Sequence, residues 1–378
     1  MSVPVLLIDH APAPGGAEQS LLLLLKHLDR SHWQPHLVGV ESQLLADAAA
    51  FGVAIHPQPL PRLRRSIRFP LDWFRVAQRI ARLAGEVGAV LLHANTVRAA
   101  IYTALAARLA QRPFIWHMRD FWLSESEPGR LWADRLGKQL LCASAHTVIA
   151  NSHSVAAHLP CPNRITLIYN GIEPEQFNPS LDGAPFRRQH DIPFDVPIAG
   201  MVGRLRPWKG QATFLEAAAL VHQAQPEVRF LIVGGDPFQV DNDYAQHLRT
   251  LASGLGLDGR VTFTGQLADV RPALAAMDVF VHPGAPEPFG LVNVEAMAMG
   301  KPVVGFAHGA LPEIVRDRQT GLLVTPGDVN ALAQAVSTLL NDPEQAQAMG
   351  QAGRIRVAAK FDVRNTANLV SRLYKDLT

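Results

Sequence analysis

Short runs of β-branched and aliphatic residues alternate with longer segments of helical period along nearly the whole chain. In the first half these runs are Val3 to Ile8, Pro35 to Val40, Val53 to His56, Ala89 to His93, Phe114 to His117, Thr147 to Ala150 and Ile165 to Ile168, each bounded by a turn or a helix. Such runs, separated by helical segments, predict parallel sheets covered by helices. From Asn170 to Pro193 the chain is rich in Pro, Asn, Gly and Asp and loses its periodicity. The alternation restarts with Ile198 to Val202, Arg229 to Val233, Val261 to Phe263, Val279 to His282, Pro302 to Phe306 and Gly321 to Val324, and the tail reads as helix over Val329 to Leu340, Pro343 to Ala359 and Val363 to Leu377. The pattern predicts an α/β chain of two similar-sized doubly wound domains, 1–172 and 196–360, joined by a linker at 173–195 and facing across a cleft. The last helix, 361–378, is expected to pack back on the first domain.

Composition narrows the function. At 378 residues the chain exceeds what one hydrophobic core usually serves. A hydrophobic share of 48% with 18% charged residues belongs to an ordinary globular protein. The net charge of +2 and pI near 8.6 are too mild to argue for a nucleic-acid partner. Cys142 and Cys161 lack Cys-x-x-Cys spacing, which suits a reducing compartment and argues against a zinc site or a disulfide framework. The fifteen histidines show no metal-ligand spacing, so no metal is expected. No apolar run approaches the ~20 residues that span a bilayer, and the leucines from Leu21 to Leu25 sit between Glu18 and Lys26 rather than behind a basic leader. A cytoplasmic protein is expected.

The densest chemistry lies between Pro286 and Gly300. Glu287 occupies a Pro/Gly turn, and Glu295 follows inside an apolar helical run that opens after Gly290. A carboxylate among packed side chains needs a partner, and the vicinal hydroxyls of a ribose would satisfy both oxygens of Glu295. The first-turn N–H groups near Phe289, Gly290, Leu291 and Val292 form an anion site supported by the helix dipole. A second cluster follows the strand ending at Val202, where Arg204 offers a planar fork and Lys209 a mobile point charge, a pairing suited to a diphosphate. Gly15 and Gly16 could admit a phosphate or sugar close to backbone, Glu18 reads as an ordinary first-turn acid, and His117 ends a strand. For each of these the plain alternative stands alongside: Glu295 paired with a nearby arginine, Arg204 and Lys209 as solvated loop cations, His117 as a core histidine bonded to backbone.

These segments occur in a recognisable order. Gly15-Gly16-Ala17-Glu18, Asn151-Ser152, Tyr169-Asn170-Gly171-Ile172, Val202-Gly203-Arg204 with Lys209-Gly210, Phe263-Thr264-Gly265, Glu287 to Glu295, Gly309 to Glu313 and Thr320 to Val324 together resemble the retaining glycosyltransferases of family 4, which have the GT-B fold. The resemblance spans essentially the whole chain. It implies two Rossmann-like domains, an acceptor-binding one first and a nucleotide-sugar-binding one second. It implies that Glu287 contacts donor-sugar hydroxyls, Glu295 the ribose, and Arg204 and Lys209 the diphosphate, with Gly15-Gly16 approaching from the other domain and His117 beside the reacting carbon. Met118-Arg119-Asp120 stands where an acid more commonly follows that histidine directly.

By the same resemblance the reaction proceeds with retention and without a protein nucleophile, metal or cofactor, the nucleotide-diphosphate sugar being the donor substrate and a hydroxyl of a glycan, lipid-linked or small molecule the acceptor. Catalytic weight falls on Arg204, Lys209, Glu287 and His117, and the loop Gly265-Gln266-Leu267 is the candidate to face the base. An epimerase or phosphorylase on the same architecture, or a silent sugar-nucleotide-binding subunit, remain alternatives. Between Pro61 and Phe69, Arg62, Arg64, Arg65 and Arg68 interleave with apolar residues. Such a segment is either a solvated basic loop or a peripheral contact with the inner face of the membrane.

Overall fold

The computed structural model describes residues 2–11, 15–61, 69–122, 131–236 and 243–378. The chain divides into two compact units, Met1–Ile172 with Phe361–Thr378, and Glu173–Lys360.

The first unit is built on a seven-stranded parallel sheet in the order β3-β2-β1-β4-β5-β6-β7. Its strands are β1 (Val3–Ile8), β2 (Trp33–Gly39), β3 (Ala54–Pro57), β4 (Leu92–Ala94), β5 (Phe114–Met118), β6 (Thr147–Ala150) and β7 (Ile165–Leu167). The near-continuous apolar runs have a direct cause, because both sheet faces are covered. In β1, Leu6 and Ile8 pack into one core with the helices Phe69–Glu86 and Val97–Ala110. Val5 and Leu7 pack into the other with the helix Gly16–His27, whose Leu21, Leu24 and Leu25 are fully buried. Four of the five leucines, Leu21, Leu22, Leu24 and Leu25, are therefore core.

The second unit holds a six-stranded parallel sheet, β10-β9-β8-β11-β12-β13. These strands are β8 (Ile198–Val202), β9 (Arg229–Val233), β10 (Val261–Gly265), β11 (Val279–His282), β12 (Val303–Phe306) and β13 (Gly321–Val324). Ala199, Met201, Phe230, Ile232, Val279 and Val281 form its core with residues of the helices Gln211–Ala224, Tyr244–Gly254 and Val329–Asn341.

Two expectations need correction. The segment 173–195 belongs to the second unit rather than forming a separate linker, and it carries a helix, Ala184–Gln189. Arg187 sews it down by donating to the carbonyls of Val196 at 2.7 Å and Ala276 at 2.8 Å. Cys142 and Cys161, expected as thiols, form a disulfide. Cys142 lies near the end of the helix Leu131–Ser144, and Cys161 precedes the short turn Pro162–Arg164. Arg164 reinforces the same junction through the carbonyls of Cys142, Ala143 and Ala145.

The final helix, Val363–Leu377, is part of the first unit. Ile172 N–H donates to Phe361 C=O at 2.9 Å, and Val363 N–H returns a bond to Ile172 C=O at 2.8 Å. The approach is close enough that a Cβ on Gly171 would lie 2.6 Å from the backbone of Val363. Trp33 then donates its indole N–H to Ser371 at 2.7 Å and meets Tyr374 edge-on.

The Cys142–Cys161 bridge closes a span of 19 residues. On a chain-entropy basis such a loop is worth about 3 kcal/mol. The native protein should show no titratable thiol until reduced, and the double Cys→Ser variant should lose about that much stability in urea denaturation. A full thiol count before reduction would refute the bridge.

Candidate functional site

In the second unit β8 and β11 are hydrogen-bonded neighbours, and it is between them that the strand order reverses. Open α/β sheets take ligands at the carboxyl edge of such a point. β8 runs out into a loop bearing Arg204 and then the single turn Pro207–Lys209, while β11 leads into the turn holding Glu287 and the helix Leu291–Ala298, capped by Gly290. Ala285 N–H donates to Trp208 C=O at 2.7 Å, tying the two loops together. Gly210 makes this possible. Its φ is +78°, and a Cβ there would lie 2.3 Å from the carbonyl oxygen of Pro283.

The loops bring Lys209 Nζ onto Glu287 Oε1 in a hydrogen-bonded ion pair, with side chains only 21% and 13% exposed. Burial pushes the Glu287 carboxyl up, but the charges of Lys209 and His282, the Lys209 hydrogen bond and the charge of Arg204 together hold it below its ordinary value. Glu287 therefore stays an anion at neutral pH. His282, buried at the end of β11, is pushed down by burial despite Glu287 nearby. Arg204 is exposed on the same loop and close enough to act on Glu287 electrostatically. The Glu287 backbone is held from the other side, where Ala310 N–H donates to its C=O at 3.0 Å and a Cβ on Gly309 would lie 2.6 Å from its nitrogen.

Glu295 behaves differently. It sits on the helix Leu291–Ala298 with no side-chain hydrogen bond or ion pair among the described residues, and burial alone pushes its carboxyl up to about 7. Phe289 is buried just before the helix, and Leu291 and Val292, partly buried, supply first-turn N–H groups that have no acceptor within a helix. Gly265 ends β10, an outer strand of the sheet, and Gln266 and Leu267 follow it. They stand two strands from β8, with Gly265 C=O accepting from Gly234 N–H at 3.0 Å and Gln266 exposed.

In the first unit the order reverses between β1 and β4. Gly15 and Gly16 open the helix after β1, and Gly15 N–H donates to Glu18 at 2.8 Å. Glu18 is buried rather than an ordinary surface acid. Burial, then the neighbouring Asp9, push it up to about 7. His117, on β5, is fully buried, and Arg119 follows it. Arg119 donates through Nε to Asn95 at 2.7 Å, through Nη1 to Asn170, and through Nη2 to His117 Nδ1 at 3.2 Å. Asn95 in turn donates to Asp9 at 2.7 Å. Burial pushes the guanidinium down to about 10, opposed by Asp9 and Glu18, so it remains a cation. His117 is thus neither a backbone-bonded core histidine nor a charged one, since burial and then Arg119 hold it well below its usual range.

Residues 184–356 match the model of the glycosyl transferases group 1, and residues 14–176 that of glycosyltransferase family 4. The GDP-mannose-dependent alpha-(1-6)-phosphatidylinositol monomannoside mannosyltransferase of Mycolicibacterium smegmatis is 31% identical over 364 residues, 92% of this chain and 91% of that one. The chain belongs to glycosyltransferase family 4. D-inositol 3-phosphate glycosyltransferase of Corynebacterium efficiens is 31% identical to this transferase over 70% of its chain and 68% of the relative. The crystal structure of Anabaena HepE in complex with UDP-glucose matches it with a TM-score of 0.85 at 28% identity, covering 99% of this chain and 100% of that one. The fold of this glycosyltransferase is accordingly GT-B.

Sequence reasoning missed the network around Arg119 in the glycosyltransferase. Asp9 and Asn95 each stand one residue beyond an apolar strand, a position that points a side chain at the carboxyl edge, and that spacing was the available signal. Nothing local marks Asn170 as the acceptor for Arg119. Arg62, Arg64, Arg65 and Arg68 lie outside the described residues. Among the described residues no helix is long and apolar enough to cross a membrane.

The raised carboxyl of Glu295 gives a pH signature. Its folded value of about 7 exceeds the ordinary 4.5, so the unfolded chain gives up its proton first and stability falls as pH rises through that window. Glu295→Gln should match the parent at pH 4 and be more stable at pH 8 by roughly 1–3 kcal/mol in chemical denaturation. Equal stability of the two at both pH values would show that the carboxylate is not desolvated.

Proposed function

We propose that this glycosyltransferase moves a sugar from a nucleotide-diphosphate sugar to an acceptor hydroxyl with retention of anomeric configuration, in the assembly of cell-envelope polysaccharide or glycolipid. The carrying observation is the Lys209–Glu287 pair at the β8/β11 reversal, beside Arg204 and the first turn of the helix Leu291–Ala298. The UDP and UDP-glucose complexes of HepE support a nucleotide-sugar donor, and the phosphatidylinositol and inositol phosphate acceptors named for two relatives support a lipid-linked or small-molecule acceptor.

On this reading Arg204, Lys209 and the N–H groups of Leu291 and Val292 take the diphosphate. Glu287, with Oε1 held by Lys209, accepts from sugar hydroxyls through Oε2, and the unpartnered Glu295 carboxylate accepts from the ribose diol. Binding by the diol would exchange a costly isolated charge for two charge-assisted hydrogen bonds. As the bond from the anomeric carbon to the diphosphate lengthens, fixed cations at the departing oxygens stabilise the charge where it develops. The acceptor oxygen bonds to the anomeric carbon on the face being vacated, and its proton passes to the departing phosphate oxygen. The positive charge comes from side chains and backbone rather than from a metal. Gly15, Gly16 and His117 belong, on the same reading, to the first unit's share of donor and acceptor recognition, and Gly265, Gln266 and Leu267 to the base.

Thermal-shift screening against a panel of nucleotide sugars should identify one donor by a raised melting temperature, and NMR of the product formed with it should show the donor's own anomeric configuration. Lys209→Ala should lower kcat by about 10²- to 10³-fold with the circular dichroism spectrum unchanged, and EDTA should leave turnover as it is. An inverted product overturns the retaining reading, and full turnover by a folded Lys209→Ala protein overturns the assigned role.

A further inference from the structure

Three fully buried rings of the first unit form a chain. The Tyr374 hydroxyl, on the final helix, lies 2.6 Å from His93 Nδ1, and His93 Nε2 lies 3.2 Å from His117 Nδ1. Tyr374, His93 and His117 have no exposed surface, and the two imidazoles stack with centroids 5.3 Å apart.

Arg119 decides where the protons are. A guanidinium has only donors, so His117 Nδ1, 3.2 Å from Arg119 Nη2, must accept, and the proton of the neutral ring sits on Nε2. His93 Nε2 faces that same lone pair and must itself be N–H, because two lone pairs in contact would repel. His93 Nδ1 is then the acceptor, and Tyr374 donates to it. Arg119 cannot turn away, since Asn95 and Asn170 hold two of its other donors. Burial and then Arg119 keep both rings neutral, His93 down to about 3 and His117 well below its ordinary value, while burial pushes the Tyr374 hydroxyl above its usual range and keeps it a donor. The chain ends on His117 Nε2, which is buried and has no hydrogen-bond partner.

We propose that Arg119 and Tyr374 are positioning residues that lock the His93–His117 pair from its two ends, making the otherwise unpartnered His117 Nε2–H a permanent donor for a hydroxyl oxygen of the bound sugar. The lock itself stands on the hydrogen-bond geometry; its use rests on the reading of His117 as a sugar-contacting residue. An imidazole without the lock would exchange tautomers and spend part of its time presenting a lone pair to that oxygen, weakening the contact most where it matters in the transition state.

The test uses the full-length, uniformly ¹⁵N-labelled protein. Long-range ¹H–¹⁵N spectra should show His117 as a single neutral Nε2–H tautomer, unchanged between pH 6 and 8.5. Tyr374→Phe keeps the ring against Trp33 and removes only the donated hydrogen, so the His93 Nε2–H form loses one of its two supports, a population of the Nδ1–H tautomer should appear, and kcat should fall by up to about tenfold with donor KM little altered. Arg119→Met should let His117 itself exchange tautomers with a larger kcat loss, and Arg119→Lys, which keeps a donor, should restore part of both. A His117 found as the Nδ1–H form, or titrating within that pH range, overturns the lock. A Tyr374→Phe protein with normal kcat despite a mixed His93 overturns the positioning role. If His117→Ala keeps full turnover while the spectra are as expected, the reading of His117 as a sugar contact fails and the lock does not.

Discussion

A parallel sheet sends every strand's carboxyl end to one edge, and only where the strand order reverses do the outgoing loops of two neighbouring strands diverge enough to leave room for a ligand. Each unit of this glycosyltransferase has one such place, β1/β4 in the first and β8/β11 in the second. The chemistry-bearing residues concentrate there because backbone geometry leaves few alternatives. Helices cover both faces of the sheets, so the edge is where a polar side chain can combine rigid support with access to a ligand.

The two edges solve the problem of buried charge in different ways. In the second unit opposite charges meet directly, Lys209 on Glu287, and the backbone contact that joins their loops depends on Gly210, where a Cβ would collide with Pro283. Glu295 is partly buried without a countercharge, and the burial pushes its carboxyl up. In the first unit the cation is dispersed. Arg119 donates to Asn95, Asn170 and His117, and its electrostatic partners Asp9 and Glu18 are themselves pushed towards their neutral forms by burial. The second unit presents charge that is partly satisfied; the first presents a neutral donor fixed by charge behind it.

Much of this architecture was legible in the residues. β1, β6, β8, β9, β11 and β13 have the bounds that their aliphatic runs predict, because a strand covered on both faces leaves an uninterrupted apolar signature. Lys209, Glu287 and Glu295 were legible for a related reason, being charges in apolar or glycine-rich surroundings. Failures came where long-range contacts outweigh local composition. The Pro- and Gly-rich stretch 173–195 reads as a linker, yet the Arg187 fork reaches carbonyls beyond its end, at Val196 and Ala276, and ties it to the second unit. Cys142 and Cys161 carry no spacing that marks a bridge, and only the arrangement of the helix Leu131–Ser144 against the following turn brings them together. The Arg119 network draws on residues after β1, β4, β5 and β7, each unremarkable in its own segment.

The segment Tyr169-Asn170-Gly171-Ile172 shows how one short motif can serve two ends of the molecule's logic. Asn170 accepts from Arg119, while Gly171 admits the backbone of Val363 where any side chain would collide, and Thr366 donates to Tyr169 C=O at 2.9 Å. The same four residues therefore fix the guanidinium and set the entry of the final helix. That helix carries Tyr374 to His93. The tautomer of a histidine on β5 thus depends on a helix about two-thirds of the chain length further on, and the motif's constraint is explained by geometry that acts through the packing of that helix rather than by contact with any ligand.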